Sequence, residues 1–140
     1  MKFNIPKIIK PLDLSIYDES MRGIEIEVWV NPNRKMLDEN QEIMNELAMF
    51  IKEVERIASA DLDDDEKQKQ LQLAQERSDH AMDRQNAWWA TIFSQHSDDA
   101  THWTSEDIKI LDEEDTALWR FVRTAAASMI RDHREGTKKG

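Results

Sequence analysis

The chain opens with apolar positions spaced for strands and continues with apolar positions spaced for helices. Leu12, Leu14 and Ile16 alternate with polar neighbours after Ile8-Ile9, and Ile24, Ile26, Val28 and Val30 alternate again after a polar connection. Period-two alternation suits half-buried strands. Tyr17-Asp18-Glu19-Ser20-Met21-Arg22-Gly23 joins the two runs, with Gly23 suited to positive φ. Residues 6–30 are therefore predicted as a β-hairpin, with Leu12, Leu14 and Ile16 on one face. Two strands alone are marginal in water. The hairpin must pack on the rest of the chain or pair at its edge with another strand.

Beyond Asn31-Pro32-Asn33 the period changes. Met36/Leu37, Ile43/Met44, Leu47, Phe50/Ile51, Val54 and Ile57/Ala58 recur at three- and four-residue steps, which predicts an amphipathic helix over 32–60 capped by Asn31 or Asn33. Asp61-Leu62-Asp63-Asp64-Asp65-Glu66 then reads as a connector whose acids sit over the start of a second helix, 64–95. That helix repeats Leu71, Ala74, Ser78, Ala81, Gln85, Trp88 and Ile92, a seam small and polar in its middle that suits antiparallel packing on the first helix. After a polar loop to His102, Thr104 and Asp107 form a capping-box pattern, with Trp103 placed to staple onto Ile108. A short helix to about Asp112 precedes a last one bearing Leu118, Phe121/Val122, Ala125/Ala126, Met129 and Ile130. Arg131, His133 and Arg134 favour its last turn and Gly136 ends it. The expected fold is α+β and mostly α: a short N-terminal β-hairpin followed by a bundle of about four helices. It forms one domain over 1–135, with the helical body at 32–134 and a flexible tail at 136–140.

Composition narrows the function. The formal net charge is −10, with 29 Asp and Glu against 19 Lys and Arg. A nucleic-acid binder needs a basic face, so that class is disfavoured. There is no cysteine, which excludes disulfides and thiolate chemistry. The N-terminus lacks the apolar core of a signal peptide, and no apolar run reaches membrane-span length. The expected setting is cytoplasmic.

Catalytic and metal patterns are missing. No G-x-S-x-G, S-x-x-K or Gly-rich phosphate loop occurs, and no HExxH or facial-triad spacing relates His80, His96, His102 and His133. His96, Asp98, Asp99 and His102 share one polar loop and are the best zinc candidates, although clusters of this kind in polar loops are usually solvated. Asp61–Glu66 lacks the alternating ligands and central Gly of a calcium loop. No enzyme activity, cofactor or metal is expected.

Five Trp remain to be explained. Trp88 and Trp89 diverge by about 100° around a helix, so both are buried only where partners cover two sides. Otherwise one faces a groove or a partner, as interface anchors do. Trp88, Trp89, Phe93 and Trp103 are therefore the candidate partner-binding residues, weighed against plain core packing.

Two stretches carry a family resemblance. Glu27-Val28-Trp29-Val30-Asn31-Pro32, and Trp103-Thr104-Ser105-Glu106-Asp107 followed by Ala117-Leu118-Trp119-Arg120-Phe121, are similar to tail assembly chaperones of long-tailed (siphovirus-type) bacteriophages. The similarity covers Ile5–Leu47 and Trp103–Glu135 and leaves the middle helix unassigned. It implies a helix-rich protein of the infected bacterial cytoplasm that binds the long, apolar, helical tape measure protein, helps recruit tail tube protein and is absent from the finished particle. The family offers no catalytic residue to carry over. Two other classes remain open: an acidic inhibitor that mimics nucleic acid, using the Asp61–Glu66 and Asp112–Asp115 runs, and a structural tail or capsid subunit. Self-association through the β segment is a further expectation.

Overall fold

Proline and asparagine at the hairpin's end decide where strand gives way to helix. In the computed structural model, which describes residues 4–95 and 102–139, β1 (Ile9–Asp13) pairs antiparallel with β2 (Glu25–Trp29), Leu12 opposite Ile26 and Ile9 opposite Trp29. Four helices follow: α1 (Arg34–Ser59), α2 (Asp64–Phe93), α3 (Ser105–Glu114) and α4 (Thr116–Lys139). The α+β, mostly helical architecture read from the pattern is the one observed.

The hairpin departs from simple alternation at its first strand. β1 stops at Asp13, whose carboxylate accepts from the Ser15 amide and turns the chain into a short 3-10 segment, Leu14–Ile16. Leu14 stays buried, but Ile16 is 73% exposed and does not share a face with Leu12. A local side-chain acceptor has overridden the period, as Asp does at turns. Asp18 repeats the device on the Ser20 amide, and Gly23 takes φ 86° to enter β2. On β2, Ile26, Val28 and Val30 are buried, whereas Ile24 before the strand is half exposed. The hairpin packs on its own helices: β2 lies against α2, and β1 touches α4.

Helix ends follow from named caps. Asn33, not Asn31, caps α1 by accepting from the Met36 amide at 2.9 Å. Asn31 holds the hairpin closed: its Oδ1 accepts from the Ile8 amide (2.7 Å) and the Trp29 indole (3.0 Å), and its Nδ2 donates to the Pro6 carbonyl. Asp63 caps α2. Thr104 and Asp107 complete the capping box of α3, with Ile108 fully buried beneath and Trp103 packed on the same core. Asp115 separates α3 from α4 and caps the latter by accepting from the Leu118 amide. α4 runs through Gly136 to Lys139, so Gly136 does not stop it, and Arg131, His133 and Arg134 lie before the last turn. At this helix, Gly136 sits in open space with no packing to oppose continuation.

One core cluster draws on both strands and all four helices: Leu12 and Val28 from the hairpin, Ile43 from α1, Trp88, Trp89, Ile92 and Phe93 from α2, Ile108 from α3, and Trp119, Val122 and Ile130 from α4. Ile57, Ala74 and Ala81 are also buried, but outside that cluster. They belong to a projecting part of the fold. α1 packs chiefly on α2, and the two helices are about 39 and 45 Å long, which is more than the core can cover. Their distal halves form a two-helix arm. No helix among the described residues is long and apolar enough to cross a membrane.

Candidate protein-interaction surface

The tryptophans that suggested anchors are core residues. Trp88 is 4% and Trp89 5% exposed, and Phe93 is buried; Trp103 is half-buried. Their 100° divergence is met by cover on two sides from this chain itself. Trp88 points toward α1 and donates its indole N–H to the Met36 carbonyl at 2.7 Å. Trp89 meets Trp119 of α4 edge-on, 6.2 Å between ring centroids. Phe93 touches Trp89, Trp103 and Trp119 at 5.7, 5.6 and 6.3 Å, which ties α2 to α4 and to the segment before α3. Edge-to-face and stacked pairs at these spacings add to burial rather than recruit a partner. Of the two alternatives for these indoles, core packing is the one observed: the bundle closes over Trp88 and Trp89 alike.

Much of the exposed apolar surface lies instead on the arm, the rest being at Ile5, Ile16, Ile24 and Ile110. Met44, Met49 and Ile51 on α1, and Leu71 and Leu73 on α2, are all exposed large apolar side chains. The reason is the seam between the helices. Ile43, Leu47, Phe50, Val54 and Ile57 face Ala74, Ser78, Ala81 and Gln85, large residues against small and polar ones. Gln85 is buried, with its amide donating to the Met44 sulfur at 3.2 Å. Such a seam fills with one residue per step, so apolar residues flanking it stay uncovered.

The two flanks differ. Around α1, at about 100° per residue, Met44 and Ile51 fall on one side of the seam and Met49 on the other. Around α2, Leu71 and the half-buried Met82 share the first flank, and Leu73, Arg77 and His80 the second. The first flank is a plain apolar stripe. The second holds a cleft of about 780 Å³ lined by Met49, Phe50, Leu73 and Ala74, with Glu46, Glu53, Glu76, Arg77 and His80 around it. Two ion pairs bridge the helices there: Arg84 to Glu46 at 3.1 Å and Arg77 to Glu53 at 3.6 Å. Arg56 also binds Glu53 at 2.7 Å and holds its carboxylate below the usual range.

Other sequence candidates are placed as follows. The Asp61–Glu66 run lies at the start of α2, which Asp63 caps, whereas Asp112–Glu114 form the last turn of α3 and Asp115 caps α4. Of the proposed zinc loop, His96, Asp98 and Asp99 lie outside the described residues, while His102 lies within them. Among the described residues no group of three or more His, Asp or Glu is placed to hold a metal. From sequence, Met44, Met49 and Met82 are open to two readings, adaptable contact surface or core filler, with core filler favoured for Met44. The structure leaves Met44 and Met49 exposed and Met82 half-buried, and the signal for exposure was the polarity of the facing positions Ser78 and Gln85. No protein-family profile, curated protein or solved structure matches the chain.

Proposed function

We propose that this protein is a non-enzymatic tail assembly chaperone of a long-tailed bacteriophage, and that its client helix docks on the arm flank carrying Met44, Ile51 and Leu71. One observation carries the reading: Ile51 is 64% exposed on α1, a helix that among the described residues packs chiefly on α2. An apolar stripe at helical spacing is the surface an amphipathic helix recognises. Methionine within it adapts to clients of irregular shape. The net charge of −10 keeps the carrier and its bound client in solution.

The resemblance of the hairpin end and of the Trp103–Phe121 region to these chaperones supplies the client's identity. The long, apolar tape measure protein is the ligand, and tail tube protein is the second partner recruited to it. The setting is the infected bacterial cytoplasm, and the protein leaves before the particle is complete. Co-expression with tape measure protein tests this. Soluble, co-purifying tape measure protein is expected with this chain and aggregated protein without it. Mass spectrometry of purified particles should find the chain absent; its presence at stoichiometric level would mark a structural subunit instead.

A further inference from the structure

We infer that the opposite flank of the arm, with its cleft and two ion pairs, is the interface with a second copy of this chain in an antiparallel four-helix bundle. This goes beyond client binding and uses different residues.

The charge pattern selects the occupant. On a chain of net charge −10 this flank is nearly balanced, with Glu46, Glu53 and Glu76 against Arg77 and Arg84. An equally acidic copy can approach here with least repulsion. The rungs Glu46–Arg84 and Glu53–Arg77 are one heptad apart on both helices, a rise of about 10 Å. A two-fold interface brings one patch onto itself, so the patch must be its own complement. Two in-plane axes are available. An axis across the arm stacks α1 on α1 and sets Glu46 over Glu53 of the second copy, and Arg84 over Arg77. An axis along the arm stacks α1 on α2 of the second copy. Glu46 then meets Arg84, and Glu53 meets Arg77, at both rungs with no change of register.

The second arrangement closes each rung into a ring of four alternating charges. Every adjacent helix pair in it is antiparallel, the geometry of an ordinary four-helix bundle. Between the rungs, Met49 and Phe50 of each copy gain the cover that their own α2 does not give. The flank with Met44, Ile51 and Leu71 stays outside and free for a client.

Sedimentation velocity across the micromolar range tests the proposal. A dimer is expected for the native chain, and a monomer for Arg84→Glu. That variant also breaks the rung within the chain, so the paired exchange Glu46→Arg with Arg84→Glu is measured beside it; exchange keeps every ring alternating and should restore the dimer. The axis is read from disulfides, since the chain has no cysteine of its own. Met49→Cys mixed with His80→Cys should form the mixed disulfide, and neither alone should form a homodimeric one at a comparable rate. A monomeric native chain, a dimer indifferent to Arg84→Glu, or a rapid Met49→Cys homodisulfide would each overturn the inference.

Discussion

The indole of Trp88 and the carbonyl of Met36 are joined by a 2.7 Å hydrogen bond between residues on different helices. Trp88 sits near the C-terminal end of α2 and Met36 in the first turn of α1, so this bond pins the base of the arm to the core. Trp88→Phe keeps a buried ring and removes the donor, and should cost about 1 kcal/mol. Trp88→Ala also opens a cavity and should cost about 3–5 kcal/mol. Urea denaturation measures both. Equal losses for the two variants would mean that the ring's volume contributes nothing here.

Asn31 works at the other end of the same region. Its amide serves three partners at once: the Ile8 amide, the Trp29 indole and the Pro6 carbonyl. Asn31→Ala should therefore cost about 2 kcal/mol, from bonds worth about 1 kcal/mol each that are not fully additive. Asn33→Ala removes only the α1 cap and should cost about 1 kcal/mol. The order of the two midpoints in thermal unfolding distinguishes hairpin buckle from helix cap.

These two asparagines mark where the sequence was legible and where it was not. The change of period after Val30 located the strand–helix junction, and either Asn satisfied the cap rule. Only the approach of Pro6 and Ile8, more than twenty residues earlier, assigns Asn31 to the hairpin, and no local pattern carries that contact. Thr104 and Asp107 were legible because a capping box is wholly local. Trp88 and Trp89 were ambiguous for the opposite reason: helical spacing fixes their directions, but cover comes from α1 and α4, which are distant in sequence. The antiparallel pairing of α1 and α2 was legible in the seam, but the exposure of its flanks was not, because apolar periodicity does not say whether a stripe has enough neighbours to bury it.

Gly23 and Gly136 should respond oppositely to alanine. Gly23 holds φ 86° with open space around it, so the cost of Gly23→Ala is purely conformational, about 1–2 kcal/mol. Asn tolerates this region better, and Gly23→Asn should lose less. Gly136 lies within α4, also in open space, so Gly136→Ala should stabilise by a few tenths of a kcal/mol, up to about 1 kcal/mol in a well-formed turn. Amide exchange near the end of α4 reports the second change directly. Faster exchange after Gly136→Ala would contradict the continuous helix.

Acid should loosen the hairpin corner and the arm before the aromatic core. Asp13 and Asp18 are held below the ordinary value of 3.8 chiefly by the Ser15 and Ser20 amides, and Glu53 below 4.5 chiefly by its hydrogen bond to Arg56. A depressed carboxyl contributes stability above its unfolded value and loses it as pH falls through the folded one. These contributions are thus intact at neutral pH and decline below those ordinary values. Asp18→Asn and Glu53→Gln should flatten the acid limb of the stability curve. An unchanged limb in both variants would assign acid sensitivity elsewhere.

Substitutions on the outer arm flank should separate client binding from folding. Ile51→Glu places charge on a side chain that already faces solvent, and Met44→Glu, at a half-exposed position, offers a carboxylate oxygen to the Gln85 amide in place of the sulfur, so the pair should alter stability by less than about 1 kcal/mol. A bound client helix, in contrast, would bury each carboxylate against apolar surface without a partner, and an unpaired buried charge is strongly opposed. The double variant should therefore unfold at nearly the native midpoint yet fail to keep tape measure protein soluble in co-expression. Phe93→Ala should do the reverse in kind, lowering the midpoint because its fully buried ring holds α2 against Trp119. If Met44→Glu with Ile51→Glu retains full client solubility, the docking surface lies off this flank.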